Sequence, residues 1–224
     1  MSKGARATLV VVGFAVALAL VVYGVVGWML HKPPTISAQP SSTPGVVNVS
    51  IQVDGSVGTG PHPSWVGYRV QNANGQWVRT TIIQIPAHSD VHFTVYQYDS
   101  GSGFRNPVWD RVAGTVGGVA YLNGKPATYF NDQVGNGIGH SFNVPALGIN
   151  VPFAGVNGNA SNFCTAGPCT MSQLHNTITF DIHTGNPGSF RWQCFVPCGL
   201  GFLNGNGGPM TTIGYMGGFL KVVA

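Results

Sequence analysis

The sequence predicts an all-β Greek-key sandwich preceded by one N-terminal transmembrane helix, and three observations predict it. An uncharged apolar run fills Ala7–Leu30, period-2 alternation recurs from Val47 onward, and the composition suits turns better than amphipathic helices. Of 224 residues, 33 are Gly and 15 are Pro; only 7% are charged and none is Glu, whereas exposed helix faces usually carry Glu and Lys. That length accommodates one ordinary domain plus an anchoring segment.

The anchor is the first element. Ala7–Leu30 holds 24 residues without a charge. At a helical rise this spans roughly 36 Å, more than the hydrocarbon core of about 30 Å. A cleaved signal has an apolar region of only about 7–15 residues, and Ser37-Ala38 offers a poor cleavage site, so the segment reads as an anchor in the lipid bilayer. Lys3 and Arg6 precede the run and favour a cytoplasmic N-terminus, with Tyr23 and Trp28 placed toward the outer half. Residues 1–30 are therefore expected to be the cytoplasmic start and anchor of a single-pass plasma-membrane protein. Residues 31–44 (HKPPTISAQPSSTP) read as an unpacked Pro/Ser-rich linker, and 45–224 as one extracytoplasmic domain.

Within that domain the strands follow in order. Val47, Val49, Ile51 and Val53 alternate with polar residues, as do Val91, Phe93 and Val95, then Ile178, Phe180 and Ile182. Phe190, Trp192 and Cys194 share one face of SFRWQC, and FLKVV closes the chain. Asn123-Gly124 is a hairpin signal, and no helix of useful length is expected after residue 45. Short strands separated by Gly/Pro turns imply an antiparallel Greek-key sandwich, a class that hosts many functions.

Charge and motifs exclude several of them. The net charge of +4 comes from Lys3, Arg6 and Lys32 around the anchor; beyond these, seven Lys/Arg face six Asp. Without a basic cluster to displace counterions from phosphates, nucleic-acid binding is excluded. No nucleophile elbow, phosphate loop or His-Glu zinc motif occurs. His62, His88 and His92 read as ordinary surface or satisfied imidazoles.

The four cysteines lie in CTAGPC (Cys164, Cys169) and CFVPC (Cys194, Cys198). Outside the membrane two disulfides are the plain reading, and three pairings are open to four Cys. The order of residues around the second pair offers another. Cys194 ends a strand, Cys198 follows in the loop, and Met216 opens the return strand, so soft ligands suited to copper converge at one end of a sandwich. His140 in GIGHSFNV, at a strand start, could supply an imidazole.

These segments resemble the soluble copper A domain of subunit II of haem-copper respiratory oxidases and, more loosely, the blue-copper cupredoxins. GHSFNVPALGINV is similar to the segment carrying that domain's first copper His, PGSFRWQCFVPCGLG to its two-Cys loop, and MGGFLKVV to its closing Met and final strand. The resemblance covers about a third of the chain and implies a cupredoxin fold. It also implies copper ligation by His140, Cys194, Cys198 and Met216, with the Val196 carbonyl nearby. A Cys164–Cys169 bridge then goes with free Cys194 and Cys198.

The chain departs from the family pattern at one ligand. The second copper His stands four residues after the second Cys in the family, and here that residue is Phe202. The loop is also longer, and Met210 competes with Met216 as the axial sulfur. One copper ion is therefore expected rather than two, in an extracytoplasmic electron-transfer protein that is not catalytic alone. Its expected partner is a membrane respiratory complex or redox protein, for which it could be the electron-entry subunit. The alternatives are a metal-free docking subunit of a membrane oxidase and a copper delivery or storage protein. Ser100–Gly139 and Ala154–Leu174 read as insertions able to cover the site or dock a partner.

Overall fold

The computed structural model describes residues 2–29, 32–103, 105–199 and 207–224, in two compact units, 1–32 and 33–224. The first unit is helix α1 (Lys3–Gly24), capped by the Ser2 hydroxyl accepting from the Ala5 amide and continued by a π turn over Val25–Met29. The segment Gly4–Gly27 has a mean hydropathy of 2.8 and no buried face, so it is long and apolar enough to cross a bilayer.

The second unit is a two-sheet β-sandwich, as the alternation predicts. Its strands in chain order are β1 (Thr35–Ser37), β2 (Gln39–Pro40), β3 (Val46–Asp54), β4 (Gly67–Gln71), β5 (Trp77–Arg79), β6 (Ile82–Pro86) and β7 (Asp90–Gln97). A one-turn helix α2 (Pro107–Asp110) precedes β8 (Ala120–Leu122), β9 (Lys125–Ala127), β10 (Ile138–Val144) and β11 (Ile149–Ala154). Then follow β12 (Asn176–His183), β13 (Gly188–Gln193) and β14 (Gly217–Val223). One sheet has the order β1-β6-β14-β13-β10-β11; the other runs β5-β4-β3-β7-β12-β8-β9, with β2 added beside β3. The expected hairpin at Asn123-Gly124 joins β8 to β9, and both residues take positive φ (50° and 79°), as a primed turn requires.

The segment 31–44 differs from its expectation. β1 pairs in parallel with β6 and β2 pairs with β3, while Ile36 and Ala38 pack against the core. The physical reason is that β6 and β3 would otherwise present unpaired backbone, and a polar, Pro-containing segment suits such an edge.

Between the sheets the alternating residues form one apolar cluster. Phe93 stacks on Phe180 with centroids 4.8 Å apart, and Trp192 meets Phe142 at 4.8 Å and Tyr68 at 4.9 Å. The buried polar atoms of these rings are satisfied: Trp192 Nε1 donates to the Thr81 carbonyl (2.9 Å), and the Tyr68 hydroxyl to the Ser141 carbonyl (2.9 Å). This packing fixes the ends of β10 and β13, from which the candidate site is built.

Candidate metal centre

His140 lies in β10, every residue of which is buried. The β10–β11 register shifts between Ile138 and His140, a bulge that re-aims the strand at this point. Gly139 is required there, since a Cβ on it would stand 2.6 Å from the Ser100 carbonyl oxygen. Cys194 leaves the end of β13 and donates its amide to the Met216 carbonyl (2.9 Å), which closes the β13–β14 hairpin at its base.

The Cys194 and Cys198 sulfurs are 3.5 Å apart, too far for a disulfide bond of about 2.05 Å, and both cysteines are free. His140 Nδ1 stands 3.0 Å from Cys198 Sγ and 3.8 Å from Cys194 Sγ. The Val196 carbonyl oxygen lies 3.0 Å from Cys198 Sγ and 3.5 Å from Cys194 Sγ. All three donor residues are buried, and their ligand atoms lie within 4.8 Å of one another. Among the described residues this is the one such three-residue cluster.

Met216 is fully buried in the same apolar cluster, whereas Met210 is only partly buried and accepts at its carbonyl from Gln193 Nε2 (3.2 Å). Phe202 lies outside the described residues. His175 stays outside the cluster, its ring on the Gln173 carbonyl (2.8 Å), and His183 pairs with Asp90 (2.8 Å).

The sequence reading missed Asp99. Its Oδ2 is 2.9 Å from His140 Nε2, and its Oδ1 accepts from the Ser100 amide (2.7 Å). With Nε2–H donated to Asp99, the Nδ1 lone pair of a neutral ring faces the sulfurs, so Asp99 sets the tautomer. Asp99 can approach because residue 55 is Gly: a Cβ there would lie 2.5 Å from Asp99 Oδ1. The signal available in sequence was an Asp just past the end of an alternating strand, in YDSG.

The protonation of the cluster follows from these contacts. Burial pushes the His140 imidazole down, but hydrogen bonds to Asp99 and to the Cys194 sulfur outweigh it and raise it to about 9. Burial also opposes the Cys194 thiolate, yet the Cys198 thiol and the imidazole hold Cys194 well below the usual thiol range. Cys198 is pushed well above that range by its hydrogen bond to Cys194 and by burial. The Asp99 carboxylate, disfavoured by burial, is held low by His140. The two thiols are thus pushed in opposite directions, Cys194 down and Cys198 up, beside an imidazole held by Asp99. Two sulfurs and one nitrogen are donors that suit copper or zinc.

A cavity of about 470 Å³ opens onto the cluster, lined among others by His140, Cys198, Asp99, Trp65, Gly139 and Pro209. Ser100–Ser102, the start of the first inserted segment, form part of its wall. The second insert carries the Cys164–Cys169 disulfide, held to β3 by Gln52, which donates to the Cys169 carbonyl and accepts from the Cys169 amide (2.9 Å each). The cysteine pairing is the one expected from the resemblance.

No protein-family model and no curated protein sequence matches the chain. Solved structures similar to it include the metal-binding domain of the Streptococcus pneumoniae Cu(I)-exporting P-type ATPase CopA. That match is 9% identical, with a TM-score of 0.38 and coverage of 87% of this chain and 100% of that one. A haem-copper terminal oxidase is 14% identical (TM-score 0.33, 100% of both chains), and rusticyanin is 14% identical (TM-score 0.34, 87% of this chain and 90% of that one). Likenesses this weak decide neither family nor chemistry, and the sandwich is read from its own strand pairing.

Proposed function

We propose that this chain is a membrane-anchored copper protein that holds one copper ion on His140, Cys194 and Cys198, with Met216 as axial sulfur, for extracytoplasmic electron transfer to or from a membrane respiratory complex. The observation that carries the reading is the convergence of two sulfurs and one Asp99-oriented imidazole in a buried cluster. Copper, when bound, would supply a one-electron couple. The protein's part is to keep the sulfurs and imidazole fixed on buried residues at the strand ends, so that little rearranges when the charge changes.

The test is reversible cycling of the copper-loaded full chain in detergent. One electron per copper should be taken up and returned, with a thiolate-to-copper absorption band lost on reduction and regained on oxidation. Copper that binds but never cycles would overturn electron transfer and favour the second reading, Cu(I) delivery. That reading is supported by Phe202 at the family's second His and by the cavity reaching Cys198 and His140. Phe202→His should raise copper affinity, measured by competition with a chelator.

Lys3 and Arg6 place the N-terminus in the cytoplasm in this reading. Protease added to intact cells should then degrade residues 33–224. Digestion that needs permeabilised cells would reverse the orientation.

A further inference from the structure

Two His–Asp pairs stand away from the sulfurs, on β7 and β12. In this antiparallel pair Asp90 is opposite His183 and His92 is opposite Asp181. The period of 2 puts all four side chains on one face of the sheet, in two adjacent rungs. Both rungs make the same contact: His92 Nδ1 is 2.6 Å from Asp181 Oδ1, and His183 Nδ1 is 2.8 Å from Asp90 Oδ1. The side chains are accessible, His92 at 38% and His183 at 62%.

A carboxylate on one ring nitrogen is the arrangement that fixes the tautomer of a metal-binding histidine and leaves the other nitrogen's lone pair for the ion. Here it occurs twice, and Nε2 of each ring has no hydrogen-bond partner among the described residues. The two rings occupy diagonal positions, where side chains start about 7–8 Å apart and can lean together. Isolated surface ion pairs contribute little to stability, so fold stability gives little reason for two inverted copies in adjacent rungs. We propose that His92 and His183, oriented by Asp181 and Asp90, form a surface site for a divalent first-row cation of the zinc or copper(II) class. Imidazole nitrogens suit both ions, and with only two of them the ion keeps water in its remaining positions. From Asp90 to the end of β7 at Gln97 is roughly 23 Å at a strand rise of about 3.3 Å per residue, so this site and the sulfur cluster lie toward opposite ends of the strand. It does not depend on whether the sulfurs bind copper.

The test uses the full chain in detergent with its thiols reduced, titrated with zinc and followed by calorimetry. Wild type should bind one zinc more per chain than the double variant His92→Gln/His183→Gln. Asp90→Asn and Asp181→Asn should each weaken that ion about 10–100-fold. The variant Cys194→Ser/Cys198→Ser should keep it. Equal stoichiometry and affinity in wild type and the double histidine variant would overturn the site, as would loss of all zinc binding in the double cysteine variant. Circular dichroism of each variant separates loss of the site from loss of the fold.

Discussion

Cys198→Ser should abolish tight copper binding by the full-length chain, and Cys194→Ser should do the same. Each removes one of two sulfurs that stand 3.5 Å apart and within 4 Å of His140 Nδ1. A serine hydroxyl is a hard donor that stays protonated at neutral pH, so only one of the two cysteine sulfurs is left. Replacing groups that merely orient a ligand costs about 10–100-fold in affinity, and removing the ligand itself should exceed that. Asp99→Asn should fall in the smaller range, because an amide can still hold the ring through its oxygen. Chelator competition on wild type and the three variants measures the order. If the cysteine variants lose no more than Asp99→Asn, the thiolates are not the ligands.

The second large effect is on stability. Arg69 and Asp54 form a buried ion pair between β4 and the end of β3, with Nε 2.6 Å from Oδ2 and side-chain exposures of 5% and 0%. Gly55, which lies close against Asp99, follows Asp54 directly in the chain. Asp54 Oδ1 has no further hydrogen-bond partner among the described residues, and burial outweighs the Arg69 attraction, raising Asp54 to about 6. Arg69→Met should therefore cost about 3–5 kcal/mol at neutral pH by leaving a buried charge without its partner.

The sign of the pH dependence follows from the raised value. A carboxyl whose folded pKa lies above its unfolded one contributes stability that is complete below about pH 4 and is lost as pH rises through about 6. The gap between wild type and Arg69→Met should therefore be widest above pH 6 and narrow toward pH 4, where Asp54 is neutral in both. Urea unfolding at pH 4 and pH 7 measures it. A gap that is constant with pH would assign the cost to packing alone.

Much of this was legible in the sequence because alternation is a local signal. Val47–Val53, Val91–Val95 and Ile178–Ile182 are strands because their own residues fit a half-buried ladder. Thr35–Ser37 and Gln39–Pro40 were not legible, because their pairing is dictated by the edges of β6 and β3 and not by their own polar composition. Likewise Cys194, Cys198 and His140 could be placed together because soft ligands at strand ends form a recognisable order. Asp99 could not, since an Asp in a Ser/Gly turn has an ordinary reason to be there. Its role emerges only when Gly55 and the Gly139 bulge bring it to the imidazole.

The central claim is tested most directly by counting copper and thiols on the same sample. The full chain, purified with its thiols reduced and loaded under anaerobic conditions, should hold one copper per chain. Cys194 and Cys198 should then resist alkylation until the metal is removed, while Cys164 and Cys169 remain bridged. A chain that binds no copper while both thiols are reduced and react freely would contradict the account and leave the sandwich a metal-free structural domain.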